Sequence, residues 1–146
     1  MTDREYILVR QRVGRGPNDY VLVLKRRSEE ATFIEDLSSD YRKKDEAARI
    51  VTCAVRLARN GTDWAIRSGT LKLLDNGLAI YELKSKRTVY RVMTYVHDDK
   101  AKTPVLLFAF HGHQRRGGGG ILREDEKRAA RLARVARALV KEEARE

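Results

Sequence analysis

An α+β fold, built from a helical hairpin and an antiparallel sheet, is predicted by three observations. Two short β-type runs, EYILVRQRV (5–13) and YVLVLK (20–25), flank the turn-forming stretch GRGPND. Between Ser28 and Gly61 the apolar residues recur at helical spacing in two segments. Three more β-type runs then lead into a long basic segment with an apolar stripe. Runs of strands and helices kept apart in this way point to an α+β domain rather than an alternating βαβ one.

The first two runs are read as a loose hairpin. Ser28 offers an N-cap, with Glu29 and Glu30 suited to the positive end of a helix, and Ala31, Phe33, Ile34 and Leu37 supply its apolar side. Ser38-Ser39-Asp40 punctuates. A longer helix follows on Ala47, Ile50, Val51, Ala54, Leu57 and Ala58, and Asn60-Gly61 stops it. Residues 62–74 carry no clear period, although Leu71, Leu73 and Leu74 read as buried. After the turn signal Asp75-Asn76-Gly77 come strands over 78–84, 87–96 and 104–111. Ser85-Lys86 is a hairpin-length connector, and residues 97–103 form a polar loop. Gly117 to Gly120 reads as a hinge, and no Gly-Lys-Ser/Thr follows to make it a phosphate loop. Residues 123–145 form the last helix, on Leu132, Val135, Ala136 and Leu139.

The chain has 146 residues, which suits a single domain over 1–146, and 42% are hydrophobic, enough for a core. Its formal net charge of +10 favours a polyanionic partner through counterion release and long-range steering. One cysteine, Cys53, leaves no internal disulfide and no cysteine-based zinc site, and its place in an apolar helical pattern reads as an inert buried thiol. The opening MTDREYILVR has no long apolar run, so no signal peptide is expected, and no segment approaches a membrane span. A cytoplasmic protein is the default expectation.

Several short motifs, in their order, resemble the RelE/ParE toxin superfamily, most of all its HigB-like, phage-derived branch. Phe33-Ile34-Glu35-Asp36-Leu37 followed by Ile50 and Leu57-Ala58-Arg59-Asn60-Gly61 is similar to the family's helical hairpin. Gly77-Leu78 with Tyr81-Glu82-Leu83-Lys84 resembles its Gly-Leu-Tyr-Glu-Leu-Arg strand, Tyr90-Arg91-Val92 its Tyr-Arg-Val strand, and Leu106-Leu107-Phe108-Ala109-Phe110 its Leu-Leu-x-Gly-Phe strand. The sequence departs from that pattern in several places. Ala79-Ile80 is inserted before Tyr81. The family's Lys/Gln-rich loop is replaced by His111 to Arg116 and the glycine run. The strand and turn over 1–19 are extra, and the hinge and helix over 117–146 extend the C-terminus.

The resemblance implies a RelE-like fold and the toxin of a type II toxin–antitoxin system. Such a toxin is a ribosome-dependent mRNA endoribonuclease that cleaves by 2′-OH attack, with no metal and no cofactor. Its partners would be mRNA, the ribosome with its rRNA, and a cognate antitoxin of helix-turn-helix type, with no membrane. Two alternatives stay open: a ParE-like toxin that binds and inhibits gyrase, or a non-catalytic phage-derived relative that binds RNA or a partner.

Such cleavage needs a proton acceptor, a proton donor and cations around the phosphorane. If Lys84 and Arg87 flank a two-residue turn, Glu82 pairs with Val89 and Ile80 with Arg91, and Glu82, Lys84, Arg87 and Arg91 share one surface. These four, with His111 and His113 as proton donors of near-neutral pKa, are the candidate catalytic residues. Lys86, Tyr90, Tyr95, Arg115 and Arg116 are the candidate RNA-binding residues, the tyrosines by stacking on bases. Each has a plain alternative: a structural Glu82–Arg91 cross-strand pair, solvated loop histidines, and a tyrosine that belongs to the core. Arg123, Lys127, Arg128, Arg131, Arg134 and Arg137 of the last helix read either as rRNA contacts or as a solvated face.

Overall fold

The computed structural model describes residues 5–84, 90–111 and 123–144. The elements are β1 (Tyr6–Arg12), β2 (Tyr20–Arg26), α1 (Phe33–Ser39), α2 (Lys44–Asn60), α3 (Thr62–Ser68), β3 (Leu71–Asp75), β4 (Ile80–Leu83), β5 (Tyr90–Val96), β6 (Pro104–His111) and α4 (Arg123–Ala144). The fold is α+β, but the sheet is mixed. Six strands run in the order β1-β2-β6-β5-β4-β3, and β2 pairs with β6 in parallel through Leu22–Val105 and Val23–Leu106. The expected antiparallel sheet fails at that one seam. The helices carry the chain from β2 to the far edge, and β3 to β6 zigzag back until β6 points the same way as β2.

Local chemistry explains the boundaries. The first helix starts at Phe33, not after Ser28. Thr32 Oγ1 accepts from Glu35 N (3.2 Å) while Glu35 Oε1 accepts from Thr32 N (3.1 Å), a reciprocal cap that Ser28, with Ala31 three residues on, cannot make. Thr32 Oγ1 also donates to Gln11 Oε1 on β1 at 2.8 Å. Gly61 ends α2 at φ +87°, with its N–H on Leu57 O. The unclear region 62–74 holds α3 and edge strand β3, and Leu73 is exposed rather than buried. β4 starts at Ile80 instead of Leu78. Asp75 Oδ1 accepts from Leu78 N (3.0 Å), and Ala79 sits at φ +53° inside the turn.

Alternation along the strands splits the core in two. On one face Val23, Leu71, Leu83, Val92 and Leu106 pack against Ile34 of α1, Ile50, Ala54 and Leu57 of α2, and Ala65 of α3. On the other, Leu24, Ile80, Met93, Tyr95, Phe108 and Phe110 pack against Ala129, Leu132, Ala133, Val135 and Ala136 of α4. A bulge in β6, where Met93 faces Phe108 and Thr94 faces Leu106, leaves Leu107 unpaired and turns it with Phe108 toward α4. Arg128 of α4 lies over the Phe108 ring, 4.1 Å from its centroid, so this cation covers the sheet.

Asp19 ties the N-terminal hairpin to α2. Its buried carboxylate accepts from Gly16 N (2.8 Å) and from both Arg59 Nε (3.0 Å) and Arg59 Nη2 (2.7 Å). A Cβ on Gly14 would collide with Asp19 Oδ2, so a side chain there would displace the carboxylate. The Arg59 and Gly16 bonds hold the Asp19 carboxyl below its ordinary 3.8. A depressed carboxylate pKa contributes stability above the unfolded value and loses it as pH falls through the folded value. Asp19→Asn is therefore expected to lower Tm near neutral pH, with the gap to wild type closing below about pH 4. Thermal melts across pH check this, and a gap that persists undiminished into strong acid would remove the ion pair as its cause.

Candidate functional site

Glu82 is the most deeply buried charged side chain of the meander, at 2% exposure. It lies in the middle of β4, between Lys72 of β3 directly opposite and Met93 of β5 on the other side. Arg91 is its diagonal neighbour, within reach of a long side chain, and Arg91 Nη1 donates to Glu82 Oε1 at 3.0 Å. The expected partners were Val89 for Glu82 and Arg91 for Ile80. The observed partners are Met93 and Tyr95, because the β4–β5 connection is longer than two residues. The shift is an even number of positions, so Glu82 and Arg91 keep a common face.

The pair lines a cleft of about 370 Å³ between β3–β5 and the start of α4, floored by Ile80 and Met93. Lys72 and Arg91 bring positive charge to it; Asp75, Glu82 and Glu126 bring negative. Among the described residues this face is not an open basic surface, because α4 packs across it from β1 to β4. What remains is a small, mixed-charge cleft whose carboxylate is fixed and whose guanidinium is 35% exposed.

The other candidate residues fall elsewhere. Lys84 follows the last residue of β4 and lines a separate cleft beside α2, so it does not join Glu82. Tyr95 belongs to the core, at 4% exposure, and its hydroxyl is 2.9 Å from His97 Nδ1; burial pushes its pKa up. A base-stacking role is thereby withdrawn for Tyr95. Tyr90 is half-buried on the α2 side of the sheet, with Lys43 Nζ 6.0 Å from its ring centroid. The backbone of His111 stands opposite Tyr90, one position past the Arg91–Phe110 pair. Lys86, Arg87, His113, Arg115, Arg116 and the hinge Gly117–Gly120 lie outside the described residues.

No family profile, curated protein or solved structure matches this chain. The site is therefore read from its own geometry. Among the described residues no helix is long and apolar enough to cross a membrane, and no three His, Cys, Asp or Glu side chains gather as a metal set. Cys53 is buried, donates to Lys84 O (2.9 Å) and has its thiol pushed up by burial to about 11, so it stays protonated near neutrality and is a poor nucleophile.

Lys72 is the residue that sequence reasoning missed. The signal was present: Leu71-Lys72-Leu73-Leu74 runs directly into Asp75-Asn76-Gly77, the pattern of a strand entering a tight turn.

Arg91→Ala leaves a buried carboxylate without its cation. The loss is expected to be about 1–3 kcal/mol, under the ~3–5 of a fully buried pair because Arg91 is 35% exposed. Arg91→Lys keeps the charge and is expected to keep the fold. Denaturant titration of both variants checks this, and an Ala variant as stable as wild type would show that the pair holds nothing in place.

Proposed function

We propose that this chain is the toxin of a type II toxin–antitoxin system, a ribosome-dependent mRNA endoribonuclease similar to the RelE/HigB toxins. The observation that carries the reading is the Glu82–Arg91 pair, held at 3.0 Å on adjacent strands at the wall of a cleft. Rigid strands are the best support for groups that must meet a crowded transition state. Glu82 accepts the 2′ proton, the 2′ oxygen attacks phosphorus, and the bond to the 5′ oxygen breaks, leaving a 2′,3′-cyclic phosphate. Arg91 and Lys72 neutralise the phosphorane oxygens. His111 pairs with Tyr90 on the α2 side of the sheet, so the leaving 5′ oxygen takes its proton from His113 or from solvent. The net charge of +10 supports association with rRNA and mRNA. A cognate antitoxin of helix-turn-helix type would hold the toxin in check.

A binding-only reading, ParE-like or non-catalytic, draws on one specific observation: α4 covers most of the face on which Glu82 and Arg91 lie. Primer extension on mRNA with translating ribosomes separates the two. New 5′ ends inside codons that vanish in Arg91→Lys are the expected result, a fall of at least ~100-fold in cleavage given what one positioned electrostatic group contributes. Intact mRNA with the wild-type protein, or gyrase-linked DNA breaks instead, would rule the nuclease out.

A further inference from the structure

A second cleft lies on the opposite side of the sheet from Glu82. It occupies about 620 Å³ between α2 and the α3–β3 connection, and among the described residues no carboxylate lines it. One stripe of α2 supplies Arg49, Thr52 and Arg56, which share a face at this spacing. Ser68 and Thr70, their hydroxyls 2.9 Å apart, form the facing wall, and Lys84 closes the end beyond β4.

Arg49 is partly spoken for, by Glu46 at 3.0 Å. Arg56 and Lys84 are both exposed, and among the described residues no ion pair forms to either. Thr52 and Ser68 donate their hydroxyl protons to Ala48 O and Ala65 O, so the phosphate donors this concave wall offers are the two cations Arg56 and Lys84, whose charge-assisted bonds to phosphate are stronger than those to water. The volume lies within the range of about 300–1,000 Å³ in which small-ligand sites sit, so it has room for a nucleotide unit and not only for a lone ion. The floor fits such a ligand: Cys53, protonated with its pKa near 11, adds no competing negative charge.

We infer that the α2 cleft binds a nucleotide phosphate of single-stranded RNA through Arg56 and Lys84, with Arg49 alongside. The inference rests on the RNA reading above but not on cleavage, and gives the chain a second RNA contact behind the sheet. The excess positive charge that the Glu82 cleft lacks is then used here.

The test is fluorescence anisotropy with a short 2′-O-methylated single-stranded RNA, which binds without being cut, at several salt concentrations. The double variant Arg56→Gln/Lys84→Gln is expected to weaken binding about tenfold or more at low salt and to flatten the salt slope by about 1.4, two contacts at ~0.7 each. Arg56→Lys with Lys84→Arg should restore both. Thermal melting of each variant confirms that these exposed changes leave the fold intact. Unchanged affinity and slope in the double variant, or no RNA binding by the wild type, would overturn the inference. Equal competition by free AMP or inorganic phosphate would place the ligand among small nucleotides and likewise overturn the RNA assignment. Loss of RNA binding in the double variant beside a wild type that cuts no mRNA would sink the nuclease reading and leave this one standing. A wild type that cuts mRNA beside a double variant that binds normally would do the reverse.

Discussion

A carboxylate sealed to 2% exposure has to be given a cation, and in this molecule Glu82 is given Arg91. That requirement shapes what surrounds it. Glu82 faces α4, among Ile80, Met93 and Tyr95, where an apolar residue would otherwise be expected. The α4 stripe of Ala129 and Ala130 at this point is small, and the cleft survives beneath it. Elsewhere along α4 the buried residues Leu132, Val135 and Ala136 join the apolar core on this face of the sheet.

The charge of the chain is distributed by function of the layers more than by its total. The Glu82 side of the sheet mixes signs, with Lys72 and Arg91 against Asp75, Glu82 and Glu126. The α2 side gathers Arg49, Arg56 and Lys84 with no acid in the wall. A net charge of +10 steers a polyanion toward the whole molecule, but the total does not say which face meets it.

Much of the fold was legible because period and punctuation agreed. α2 and its Gly61 stop, β5, β6 and α4 follow from apolar spacing and turn residues. The parallel seam between β2 and β6 was not legible, since only two residue pairs hold it and no local motif encodes a crossover. Thr32 and Glu35 carried the start of α1 in plain sight, and the acidic Glu29-Glu30 pair drew attention upstream of it. At the site, the common face of Glu82 and Arg91 was legible because strand alternation survives an even shift in register. Burial of Tyr95 and the departure of Lys84 to the α2 cleft were not, because both depend on which helix covers which face.

The most direct measurement is the NMR spectrum of the arginine side chains during titration with uncleavable 2′-O-methylated RNA. The Nε–H resonance of Arg91 is expected to move and saturate together with the RNA, since its guanidinium would exchange solvent for phosphate while still bound to Glu82. An Arg91 signal that stays fixed to saturation, with other arginines moving, would show that the Glu82–Arg91 pair only holds the sheet together and meets no transcript.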